Sequence, residues 1–198
     1  MSSHAPLEPA QLKAALQALG EVLDHRDVSY ELVLVGGANL VLQDVITRPT
    51  KDGDLVGVRL DTGQVVKLDA MPLPLAQAVR DVAAALGLDD EWLKLGPAPL
   101  MDLGLPEGFD DRLTPRHFSS LTIWLAGRFD MICLKLYASA DQWPTRGRHL
   151  QDLIALRPAG KEADRAAIWC ATHDPSPAFR GLLEAVIDFL AREDRDER

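Results

Sequence analysis

The chain has 198 residues and a formal net charge of −9, with 47 % apolar and 26 % charged residues. That length suits one domain, or one domain with an appendage, able to bury about 70 % of its unfolded surface. The composition excludes wholesale disorder, and the acidic balance argues against broad non-specific nucleic-acid binding.

Leu12, Ala15, Leu16, Leu19, Val22 and Leu23 recur at three- and four-residue steps, so the spacing predicts an amphipathic helix opening after Pro9. "ELVLV" (31–35) is a short apolar run ended by Gly36 and Gly37, the pattern of a buried strand entering a tight turn. "ANLVLQDV" has the length and composition of a helix, and "DLVGVRL" and "QVVKLD" flank the turn signal "DTG", which predicts two antiparallel strands. Residues 75–87 read as a second amphipathic helix with Leu75, Val79, Val82, Ala83 and Leu86 on one side and Gly87 as its stop. The Gly-, Pro- and Asp-rich stretch 88–118 reads as a long loop with short helical turns, and "SLTIWLA" (120–126) as a strand. Four helical segments follow from Asp130 onward, and "REDRDER" ends the chain as a solvated tail.

This order predicts an α/β (α+β) protein: a mixed sheet flanked by helices over residues 1–130, a helical C-terminal part over 131–192, and a tail over 193–198. No run reaches the roughly 18 apolar residues of a spanning helix. "MSSHAPLEPA" lacks the basic start and apolar centre of a secretory signal, so a cytoplasmic protein with no membrane partner is expected. Cys133 and Cys170, without metal-ligand spacing, are expected as reduced, buried thiols.

The stretch that points to chemistry is "RPTKDGDL", where Asp52 and Asp54 stand one residue apart. In a strand, residues i and i+2 share a face at about 6.6 Å along the chain. Two carboxylates so placed repel unless a cation lies between them, and hard oxygen donors suit magnesium, which leaves its other positions to water and phosphate oxygens. The alternative is an Asp-Gly-Asp surface turn. Gly36 and Gly37, without Cβ atoms, would let backbone amides approach a phosphate.

Strand, Gly-Gly, helix and then "RPTKDGDL" together resemble the opening motif of the nucleotidyltransferase superfamily. More narrowly, Arg48, Thr50, Asp52 and Asp54 are similar to the pattern of the bacterial branch that includes AbiEii-type toxins. The resemblance implies that Asp52 and Asp54 hold magnesium and a nucleoside triphosphate, with Gly36, Gly37, Arg48 and Thr50 at the nucleotide. In "RFDMICLKLYASADQWPTRGRHLQDLIAL" it implies that Lys135 and Asp152 complete the site. An acceptor hydroxyl on a transfer RNA end or a protein, and an antitoxin partner, would follow from the toxin branch.

Each residue also has a plainer reading. Lys135 interrupts an apolar run and would snorkel, and Asp152 would pair with Arg148 on an exposed helix face. Arg48 would pair with a carboxylate, Thr50 would shape a turn, and Asp130 would cap a helix. His117 and His149 lack metal-ligand spacing, and Trp92 and Trp124 read as core. Many superfamily members carry a third carboxylate on a later central strand, where "SLTIWLA" offers only Thr122 and Trp124. Asp69 or Asp130 are the substitutes to consider. A fold that has lost turnover, or an enzyme that modifies a small molecule, are the alternatives this leaves. Arg112, Arg116, Arg146 and Arg148 are the expected contact for RNA, with Arg128 and Lys135 adding to the basic second half.

Overall fold

Residues 6–96, 101–102 and 104–196 are described by a computed structural model. The chain forms two units, the first ending at Ala126 and the second beginning at Gly127. Among the described residues they hold a six-stranded mixed sheet and seven helices, the fold class the sequence predicts.

The first unit opens with α1 (Pro9–Asp24), which has proline in its first turn, where the missing N–H costs nothing. Leu12, Ala15, Leu16 and Leu19 on its apolar face are fully buried. The chain continues through β1 (Tyr30–Val35), α2 (Gly36–Leu42), β2 (Gly53–Arg59), β3 (Val65–Lys67) and α3 (Leu73–Leu86). It then adds β4 (Leu93–Leu95), a single 3-10 turn (Asp110–Arg112), β5 (Thr114–Phe118) and β6 (Leu121–Leu125).

The strand order is β3-β2-β1-β6-β5, with β4 also on β2. β1 runs parallel to β6 and β2 parallel to β4, and the remaining pairs are antiparallel. β4 pairs with Gly53–Leu55 and β3 with Gly57–Arg59, so the two short strands share one edge of β2 end to end. Leu32, Leu34, Leu55, Leu121, Ile123 and Leu125 are fully buried, and α1 packs against α3, β5 and β6.

Three expectations need correction. The stretch 88–118 holds two strands rather than only loop: β4 is three residues long, and β5, "TPRHF", is an exposed edge strand whose polar sequence hides it. α2 begins at Gly36 itself and stops at Leu42, short of the "QDV" included in the predicted helix. Leu86, placed on the apolar side of α3, is 47 % exposed in the last turn, whereas Gly87 does end that helix in the left-handed region at φ 65°.

The second unit is helical: α4 (Arg128–Asp141), α5 (Arg148–Leu156), α6 (Gly160–His173) and α7 (Pro177–Asp196), the last running into the segment read as a tail. α4 packs against the other three. Cys133 and Cys170 are buried free thiols, with the Cys170 Sγ 3.6 Å from the Cys133 carbonyl, and burial pushes the Cys170 thiol far up. Arg128 donates to the carbonyls of Leu156 (2.6 Å) and Arg157 (3.0 Å), satisfying the open end of α5.

Candidate functional site

Position 54 faces the site because β2 carries a bulge. Val33 lies opposite Gly57 and Val35 opposite Asp54, so three steps along β2 match two along β1, and Val56 is the extra residue. The irregularity turns Asp54 onto the sheet face of Gly57 and Arg59 rather than the leucine core, a common use of bulges beside sites. Asp52 directly precedes the strand, and both aspartates are partly exposed.

The loop before them is held from two sides. Leu7 and Thr50 exchange backbone hydrogen bonds of 2.7 and 3.0 Å, and the buried Thr50 hydroxyl donates to the Asp52 carbonyl at 3.1 Å. Arg48 Nη1 donates to the Pro49 carbonyl at 3.1 Å, while Nη2 lies 3.9 Å from the point where a Cβ on Gly37 would stand. That same Cβ would meet the Thr50 hydroxyl at 2.9 Å. Thus Gly37, Arg48, Thr50 and Asp52 form one corner, with the Thr50 hydroxyl bonded across the turn.

The Asp54 carboxylate sits between two glycines. A Cβ on Gly36, whose φ is +76°, would come within 2.7 Å of its Oδ2, and one on Gly96 within 2.2 Å of its Oδ1. Neither position accepts another residue without moving the carboxylate. Lys94, in register with Asp54 on the parallel strand β4, places Nζ 2.5 Å from Asp52 Oδ2. The Asp52 hydrogen bond holds this ammonium above the ordinary lysine range, against partial burial, and the charges of Asp52, Asp54 and Glu91 add to it.

Sequence reasoning missed Lys94 and Gly96. "WLKLG" carries the signal: an apolar, basic, apolar alternation closed by glycine, obscured by the acidic and Pro-rich residues around it. Trp92 of the same segment is core as expected, with its Nε1 donating to the Val79 carbonyl at 3.1 Å. Trp124 is not core. It is partly exposed in register with Val33, donates to Glu31 Oε2 at 2.5 Å, and lies under the Arg59 guanidinium, 4.0 Å from the ring centroid. Thr122 contacts the His117 ring at 3.3 Å. Among the described residues no group of three or more His, Cys, Asp or Glu is arranged to hold a metal ion.

In the second unit Lys135 and Asp152 pair with each other, Nζ to Oδ2 at 2.7 Å, with side chains 7 % and 1 % exposed. Neither a snorkelling lysine nor a surface pair with Arg148 describes them. Asp130 is fully buried in the first turn of α4, whose cap position is Gly127. Arg146 lies over the Phe189 ring, 4.6 Å from its centroid, and Arg128 is engaged by Glu162 and the end of α5.

A family model described as "Nucleotidyltransferase of unknown function (DUF6036)" matches residues 10–144, more than half of the chain. No curated protein and no solved structure matches.

Proposed function

The chain belongs to that nucleotidyltransferase family, and on this premise we propose that it transfers a nucleoside monophosphate from a magnesium-bound triphosphate to an acceptor hydroxyl. The observation that carries the reading is the Asp52–Asp54 pair with its glycine-cleared flanks. The donor set fits a hard divalent cation: two carboxylates, no soft ligand, and a lysine ammonium already serving as a cation at Asp52.

Asp52 and Asp54 would hold the metal, which supplies charge neutralisation to the triphosphate when bound. Gly36 lets the backbone stand against the Asp54 carboxylate and Gly37 against the Thr50 hydroxyl, and Arg48, bordering Gly37, would offset phosphate charge. The acceptor oxygen bonds to the α-phosphorus as the bond to the bridging oxygen breaks, pyrophosphate leaves, and the hydroxyl proton passes to a carboxylate, with Asp54 as the candidate base. The likeness of "RPTKDGDL" to the AbiEii-type branch supports a transfer RNA end or a protein hydroxyl as acceptor and an antitoxin as partner.

The test is label transfer from the four α-labelled nucleoside triphosphates into RNA, protein and small-molecule fractions of an extract. Magnesium-dependent labelling by the native chain, lost in Asp52→Ala/Asp54→Ala, is the expected result, and the labelled fraction identifies the acceptor class. Equal labelling by both proteins overturns the proposal. The lack of a third metal-holding side chain among the described residues favours one second reading, a nucleotide-binding module without turnover. No labelling by a folded native chain that still binds triphosphate would select it.

A further inference from the structure

The Lys94 ammonium occupies the position where the aspartates call for a cation. It reaches Asp52 at 2.5 Å, from a strand whose register sets Lys94 beside Asp54. Its own side chain is 33 % exposed and that of Asp52 is 15 % exposed, so the pair is open to solvent on one side. β4 is attached to β2 through three residue pairs, and Gly96, directly after it, sits against the Asp54 carboxylate. The segment that supplies the ammonium therefore also closes one flank of the pair.

Resting on the proposed metal-dependent reaction, we infer that Lys94 is a tethered counter-cation, which a divalent ion must displace from Asp52 in order to bind. A lysine ammonium is a compact point charge on a flexible stem, so it can leave one carboxylate without moving its strand. In the metal-free chain it supplies the positive charge at Asp52, from the strand position in register with Asp54. On metal entry it gives up the Asp52 oxygen and stands beside the site, a cation within reach of the phosphates that arrive with the metal. Lys94 thus sets the metal threshold of the enzyme: metal alone competes with the ammonium, whereas a metal–triphosphate complex offers the displaced ammonium a new partner. Binding of the two should be cooperative.

The experiment is Mn2+ binding to the full-length, metal-free chain, read from loss of the free-ion electron paramagnetic resonance signal and by calorimetry. Lys94→Met is expected to bind Mn2+ about five- to tenfold more tightly than the native chain. Lys94→Arg, which keeps the charge, should stay within about twofold of native, and Asp54→Asn should bind far more weakly. Equal or weaker binding by Lys94→Met, with Asp54→Asn impaired, overturns the role of Lys94 and leaves the metal site standing. Unchanged binding by Asp54→Asn overturns the metal site itself. A readout on the native chain guards against a misfolded variant: the Lys94 side-chain NMR signal should change on saturation with Mg2+. An unchanged signal at calorimetric saturation also overturns the inference.

Discussion

Two lysine–aspartate pairs, one in each unit, are nearly equal in length and opposite in setting. Lys94 and Asp52 meet at 2.5 Å with side chains 33 % and 15 % exposed, and Lys135 and Asp152 at 2.7 Å with 7 % and 1 %. Contact distance does not separate them, but water does. Where solvent reaches an ion pair, either partner can exchange its counter-charge at small cost, because water stabilises the freed ion. Where solvent is excluded, separating the partners leaves a bare charge in a low-dielectric interior. The first pair is therefore suited to exchange its cation, and the second to fix α4 against α5.

The largest effect should come from breaking the buried pair. Lys135→Met removes the ammonium 2.7 Å from the buried Asp152 carboxylate and should lower stability by about 3–5 kcal/mol, measured by chemical denaturation. The double variant Lys135→Met/Asp152→Leu should lose less than the single one, since no charge is left behind. Lys135→Arg keeps the charge. Native label transfer by that variant would confine Lys135 to structure, and loss of transfer with the fold intact would support the catalytic role implied by the resemblance.

Next in size is an attack on the open pair through geometry alone. Gly96→Ala adds one carbon 2.2 Å from the Asp54 oxygen, which has to move. Displacement of about 1 Å at a reacting centre costs on the order of a hundredfold in rate, so label transfer should fall by that much while the helical unit keeps its melting behaviour. Native activity in Gly96→Ala would mean that the position of the Asp54 carboxylate does not matter to the reaction.

The same contrast explains what was legible in the sequence. Buried elements announce themselves through periodicity, so β1, β6, α1 and the four C-terminal helices are readable from apolar spacing. Asp52 and Asp54 draw attention through their spacing, which by itself leaves a surface turn open, and only the resemblance assigns them a role. β4 and β5 are not, because three residues are too few to show a period and an exposed edge strand has no apolar face to show. The bulge at Val56 leaves no mark in the sequence, although it decides which way Asp54 points, since register depends on the partner strand. Lys94 is brought to the aspartates only by the register of β4 on β2, which its sequence does not show. Lys135 and Asp152, 17 residues apart in sequence, gave no local sign that each is the other's partner.

A third ion pair, Arg128 with Glu162, is more exposed than either of these and should give the smallest effect. Its side chains are 45 % and 31 % exposed. Burial pushes the Glu162 carboxyl up, but the Arg128 hydrogen bond and the Ala159 amide pull it further down, so the net shift is below the ordinary value of 4.5. A carboxyl with a lowered folded value contributes stability above its unfolded value and loses it as pH falls through the folded one. Glu162→Gln should therefore cost less than about 1 kcal/mol at neutral pH. The difference from the native chain should shrink as pH falls below the ordinary glutamate range and vanish where the native carboxyl is itself protonated. Denaturation midpoints followed from neutral to acid pH would show it: curves that converge on the acid side place the pair with exchangeable surface interactions, and a constant gap would mean that Glu162 acts through packing rather than charge.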